Sequence, residues 1–260
     1  MTLLSPQALG RSGLQVAPLS LGTVKLGRNQ GVKYPQPFNL PDDRRAQALL
    51  DTASELGINL LDTAPAYGES ETRLGALLRG QRQRWIVCTK VGESFENGQS
   101  RFDFTPTHCR ASVERSLRRL RTDVLDIVLI HSDGNDEDIL NRWGTLDALQ
   151  QLKQEGKVRA VGLSHKSAAG GQLAVDAGAD VIMATLNRDY LQEQSLITAA
   201  AAQGCGVLIK KALASGHADP SDLAKVAGHP GVHSIVLGTT SPEHLRQNAA
   251  LISAARQPAG

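Results

Sequence analysis

Eight short apolar or β-branched runs recur along the chain, and helical spacing shows in several of the stretches between them. The runs are PLSLGTV near Leu19, INLLDTA, RWIVCTK, VLDIVLIHS, VRAVGLS, DVIMATLN, GVLIKK and HSIVLGTT. Unbroken apolar blocks of this length, bounded by Gly, Asp, Asn or charged residues, suit parallel strands buried on both faces. Ala46, Leu49, Leu50, Ala53 and Leu56 follow the spacing of one helix face. Cys109, Val113, Leu117 and Leu120 form a second stripe, with Arg110, Glu114, Arg118 and Arg121 on the other side. Asp42 and Asp43 open the first of these helices and Gly57 ends it. Thr105-Pro106 and Ser241-Pro242 each read as an N-cap followed by a proline in the first turn.

Strand and helix alternating to a count of eight predicts an α/β chain folded as a (β/α)8 TIM barrel, one domain spanning 1–260. An open sheet with a split strand order would give a similar pattern. Before the first run, LSPQALGRSGLQVAP has two short runs around Gly10 and Gly13, which predicts a β-hairpin placed to plug the bottom of the barrel. Gly27 to Leu40 and Val91 to Phe104, rich in Gly, Pro, Asn and Gln, read as loops on the catalytic face.

Composition narrows the class only a little. The chain has 260 residues, 41% hydrophobic and 21% charged, with a net charge of +2, so nothing suggests nucleic acid or an anionic membrane as partner. Neither a secretion signal nor a membrane-length apolar stretch is evident, and a soluble, cytoplasmic protein is expected. The three cysteines, Cys88, Cys109 and Cys205, lack metal-ligand spacing, and two of them sit in or beside apolar runs, as free thiols in a reducing compartment do.

Polar residues at the C-terminal ends of barrel strands converge on one site. The second run ends in Asp62, with Tyr67 in the following loop; the third ends in Lys90 and the fourth in His131. Singly, each has a structural explanation: an Asp caps turns, a loop Tyr packs, and a rim Lys or His is solvated. An acid, a phenol, an amine and an imidazole on three adjacent strands form a candidate catalytic set.

DTAPAYG from Asp62 to Gly68, TK at Lys90 and IHS around His131 together resemble the aldo-keto reductase pattern. The resemblance extends over nearly the whole chain, including LGRSGLQVAPLSLGT and LGTTSPEHLRQN. It implies a barrel, a nicotinamide cofactor and reversible reduction of an aldehyde or ketone, or oxidation of an aldose or alcohol, with Tyr67 as general acid/base. A free phenol with a pKa of ~10 donates sluggishly, so Lys90, held by Asp62, is expected to raise the acidity of Tyr67. His131 is expected to donate a hydrogen bond to the carbonyl oxygen.

The resemblance also implies a cofactor site made of Gly22, Thr23, Ser164, His165, Lys210, Ser215, Gly238, Thr239, Thr240, His244 and Asn248, without metal. Several of these depart from the family's common residues. Gly238 stands where a basic residue is frequent, His244 where an arginine grips the 2′-phosphate, His165 for asparagine, Met183 for glutamine, and Lys210 for a stacking aromatic. Arg246 cannot simply replace the arginine, because residues two apart on a helix face different ways. NADP(H) is preferred, with NAD(H) possible. The partner is a small carbonyl or sugar substrate and the protein is expected to be a monomer. No long C-terminal extension follows the last helix, so loops after the first, third and fourth strands would shape the substrate pocket, with Trp143 contributing or serving as a packing anchor. Alternatives stay open: a Schiff-base lyase using Lys90, a metal-dependent hydrolase using His131 and His165, or a cofactor-binding sensor with little turnover.

Overall fold

The computed structural model describes residues 3–256. Its strands are β1 (Gln7–Ala8), β2 (Gln15–Val16), β3 (Leu19–Gly22), β4 (Leu60–Asp62), β5 (Ile86–Val91), β6 (Glu93–Glu96) and β7 (Gln99–Phe102). They continue as β8 (Leu125–His131), β9 (Val158–Ser164), β10 (Val181–Thr185), β11 (Gly206–Lys210) and β12 (Ser234–Leu237). Between them run α1 (Val24–Gly27), α2 (Asp43–Leu56), α3 (Ser70–Leu77), α4 (Pro106–Leu120), α5 (Asp136–Arg142) and α6 (Thr145–Gln154). The last four helices are α7 (Ala168–Asp176), α8 (Gln194–Ala202), α9 (Asp222–Ala227) and α10 (Pro242–Ala255).

Eight parallel strands close in the order β3-β4-β5-β8-β9-β10-β11-β12, and β12 pairs back onto β3 through Ile235 and Leu19. That closing ladder excludes the open-sheet alternative. Each of the eight apolar runs supplies one strand. An inner core of Leu60, Cys88, Ile127, Leu129, Ala160, Val181, Met183 and Leu208 fills the barrel. A larger outer core joins the other strand faces to the helices, including the predicted α2 and α4 stripes.

The N-terminal hairpin β1–β2 seals the bottom of the barrel, and Leu9, Leu14 and Val16 join the inner core with exposures of 2% or less. Full burial of such side chains is worth ~1.5–3 kcal/mol each. Gly10 is required in this turn: its φ is +53°, and a Cβ there would lie 2.4 Å from the Gly204 carbonyl oxygen.

The helix caps follow the sequence expectation. The side chains of Asp42, Thr105 and Ser241 accept from the backbone amides of Arg45, His108 and His244, and α2 ends on left-handed Gly57. The segment 91–104 departs from it. Rather than a loop, it holds the antiparallel hairpin β6–β7, turning at Asn97-Gly98 with φ of 53° and 80°. Asn-Gly with both φ positive is the two-residue turn whose twist matches paired strands, so ENGQ carried a signal that the polar composition masked. The expectation about a C-terminal extension concerns residues beyond 256, outside those described. Among the described residues, no helix is long and apolar enough to cross a membrane.

Candidate active site

A cleft of about 320 Å³ opens at the C-terminal ends of the barrel strands. Asp62, Tyr67, Lys90 and His131 all line it, as do Gly22, Thr23, Ser164, Lys210, Ser215, Gly238 and Asn248. Strand alternation explains the selection. On β5, Cys88 and Lys90 face inward, while Thr89 between them turns outward to donate to Glu71.

Lys90 is 1% exposed, and its Nζ donates to Asp62 Oδ1 at 2.6 Å and to the Thr63 carbonyl at 2.9 Å. Burial opposes the lysine charge, but Asp62 and the Tyr67 ring beside it outweigh that penalty and hold the pKa above the ordinary value. The Lys90 ammonium sits 4.9 Å from the Tyr67 ring centroid. Tyr67 nevertheless differs from the expectation of a more acidic phenol. Burial raises its pKa, Lys90 pulls it down, Asp62 pushes it up, and the balance is a phenol that holds its proton more tightly than free tyrosine. Desolvation of the phenolate is larger here than the field of one ammonium already neutralised by a carboxylate.

The His131 ring stands edge-on to Tyr67, with centroids 6.2 Å apart. Its Nδ1 lies 2.7 Å from Glu93 Oε2, on an approach too bent for a well-aligned hydrogen bond. Glu93 sits on β6, in the 93–102 hairpin, and its other oxygen accepts from Ser100 on β7 at 2.6 Å. Burial works against the Glu93 charge, yet His131, Ser100 and Arg28 bring its pKa down to about 2. Burial lowers the His131 pKa, with Glu93 opposing and Lys90 and Lys210 reinforcing the change. The two shifts do not describe a fully charged pair: at neutral pH the carboxylate is ionised and the buried imidazole is neutral.

The cofactor half is more mixed. Lys210 donates to Ser164 Oγ at 3.0 Å and to the His165 carbonyl. His165 itself is not in the cleft. Ser164 faces inward, so its neighbour on the chain points outward, where His165 is fully buried with Nδ1 3.7 Å from Glu193. Burial lowers its pKa to about 4, and neither ring nitrogen has a hydrogen-bond partner. His131 and His165 therefore cannot ligate one metal, which removes the geometry of the hydrolase alternative.

Thr239, Thr240 and His244 also stand off the cleft lining. Thr239 Oγ1 accepts from the Ser241 amide, and Ser241 caps α10, so these hydroxyls are spent on the helix start. His244 is exposed, and Arg246 reaches Thr52 and Glu55 on α2 rather than the cleft. Trp143 is 45% exposed and does not line the cleft; it is neither a pocket wall nor a packing anchor. Lys211 lines it beside Lys210, and Tyr34, Lys25 and Lys166 line it although the sequence pattern does not single them out. Tyr34 packs over the last strand, where its hydroxyl lies 3.0 Å from the position a Cβ on Gly238 would take. The absent side chain at Gly238 is what admits that ring. Lys25 Nζ in turn lies 4.1 Å from the Tyr34 ring centroid.

The sequence model of the Aldo/keto reductase family matches residues 18–225, and the chain belongs to that family. A solved chain from Pseudomonas aeruginosa assigned to the aldo-keto reductases shares 49% identity and superposes with a TM-score of 0.90, over 97% of this chain and 96% of that one. L-galactose dehydrogenase of Arabidopsis thaliana is 37% identical over 63% of this chain and 49% of its own. NADH-specific methylglyoxal reductase of Escherichia coli is 33% identical over 62% of this chain and 52% of its own. The chain thus matches about half the length of these curated relatives.

Proposed function

We propose that the protein is an oxidoreductase that interconverts an aldehyde or ketone with the matching alcohol, or oxidises an aldose, using a nicotinamide nucleotide. The observation that carries this reading is the convergence of Tyr67, His131 and the Lys90–Asp62 pair on one cleft. Tyr67 is the proton donor to the carbonyl oxygen. Its tight hold on the proton keeps it a phenol at working pH, and the Lys90 ammonium limits the cost as negative charge develops. Asp62 fixes that ammonium and satisfies its charge. With its proton on Nδ1 beside Glu93, neutral His131 would offer Nε2 to a substrate hydroxyl; a second proton turns the ring into a donor to a carbonyl oxygen.

The nucleotide, when bound, supplies or accepts the hydride. The residues present fit it: the Asn248 amide lines the cleft with no hydrogen-bond partner among the described residues, and Lys25 and Lys211 bring positive charge for phosphates. Gly22, Thr23, Ser164, Ser215 and Gly238 would offer small contacts around the same cleft. NADP(H) remains the family preference, but His244 is the weaker cation at the 2′-phosphate position and Arg246 is occupied elsewhere. The relative named as NADH-specific supports use of NAD(H) as well.

Tyr67→Phe is expected to cut turnover ~10³-fold while nucleotide binding stays nearly unchanged. A panel of carbonyls and aldoses, run in both directions with NADPH and NADH, together with fluorescence titration of each nucleotide, measures this. Full activity in the variant overturns the assignment.

A further inference from the structure

Two lysines reach into the cleft from opposite walls with different company. Lys90 is locked as an ammonium by Asp62 at 2.6 Å. Lys210 has no carboxylate within ion-pair distance among the described residues; its partners are the Ser164 hydroxyl and the His165 carbonyl, both neutral. An ammonium has three protons to place and an amine two. Two acceptors and no counter-ion match the amine, which then keeps its lone pair for the cleft.

We propose that Lys210 is a carbonyl-capture site, an amine in the nucleotide-free cleft that forms an imine with small aldehydes. Nζ adds to the carbonyl carbon to give a carbinolamine. The carbonyl oxygen then leaves as water with both amine protons, so no outside oxidant or reductant is needed. This relocates the Schiff-base chemistry that the sequence offered to Lys90, whose lone pair is tied up in its proton and its salt bridge.

The electrostatics agree. Burial and the neighbouring Lys211 lower the Lys210 pKa to about 7, with Lys90 adding to the effect and Glu193 and Asp136 opposing it. About half the groups would be unprotonated at pH 7, against well under 1% for a solvated lysine with a pKa of ~10.4. The other amines at the cleft are Lys25, under two aromatic rings, Lys211, half-buried beside further lysines, and Lys166, whose Nζ donates to the Asp133 carbonyl.

Nucleotide-free protein is incubated at pH 7 with glycolaldehyde and sodium cyanoborohydride, which delivers hydride to the imine carbon and fixes it as a secondary amine. Peptide mapping by mass spectrometry then gives a labelling rate for each lysine. Lys210 is expected to label at least about tenfold faster than exposed Lys225, and Lys210→Arg is expected to remove that fast fraction alone. Labelling of Lys210 no faster than Lys225, or a fast fraction on Lys90 or Lys211 instead, overturns the proposal. The readout on the wild-type chain needs no variant to fold and no hydride transfer from a nucleotide. It therefore fails or succeeds separately from the oxidoreductase reading, which Tyr67→Phe tests.

Discussion

The β5 wall and the β11 wall of the cleft each present a lysine, Lys90 fully buried and Lys210 partly so, and the two differ in their charged company. Lys90 meets a carboxylate and a carbonyl and gains a proton affinity above the ordinary value. Lys210 meets a hydroxyl and a carbonyl and loses affinity to about 7. Burial disfavours the charge in both cases, so one anionic partner decides the outcome. A lysine inside a barrel is therefore no single chemical object. It is a fixed cation where an acid faces it and a poised base where none does.

Removing each lysine should break or sharpen this contrast, and the largest effect belongs to Lys90. Lys90→Met leaves Asp62 buried without its counter-charge, and a loss of ~3–5 kcal/mol in denaturant unfolding is expected along with loss of turnover. Lys210→Met strands no opposite charge and should change stability by about 1 kcal/mol or less in the same measurement. Equal destabilisation by the two substitutions would mean that the Asp62 pairing is not what separates them.

A smaller effect falls on the third wall, where Glu93 approaches His131. Glu93→Gln keeps the shape and removes the charge, so kcat is expected to fall about tenfold with KM little changed, and the limb of the pH–rate profile governed by His131 should move to lower pH. An unmoved profile would leave Glu93 with a role in the hairpin only.

The smallest effect concerns that hairpin in acid. The folded pKa of Glu93 is depressed from 4.5 to about 2. Its contribution is thus fully present above about 4.5 and drains away as pH falls towards 2, where the folded carboxylate also takes up a proton. Amide exchange of residues 93–102 should quicken across that window in the wild type and show no such step in Glu93→Gln.

The sequence made the four proposed catalytic side chains legible because Asp62, Lys90 and His131 sit where apolar runs stop, with Tyr67 in the loop that follows the first of them. A parallel strand end on a closed barrel has one place to point. The cofactor half was less legible for a reason visible in Ser164 and His165. Both occupy the end of the same strand, but alternation puts one in the cleft and the other under α7 and α8, where a Cβ on Gly171 would come within 2.9 Å of the imidazole. Thr239 likewise looks like a ligand contact, yet its hydroxyl accepts from the Ser241 amide at a helix start. Glu93 escaped because the Gly, Asn and Gln content of 91–104 suggests a loop, although the Asn-Gly turn within it is a hairpin signal.

By itself, then, the sequence determined the barrel, its plug, its helix caps and the identity of the Asp62, Tyr67, Lys90 and His131 set. These depend on residue period, on turn chemistry and on where strands end, all written locally. The tertiary structure alone decided the protonation of those groups and the company they keep. Tyr67 holds its proton more tightly than expected, Lys210 holds its own less tightly than a solvated lysine does, and Glu93 arrives beside His131 from another element. Desolvation and charge contact are properties of what surrounds a side chain in space, and residues far apart in the chain supply those surroundings.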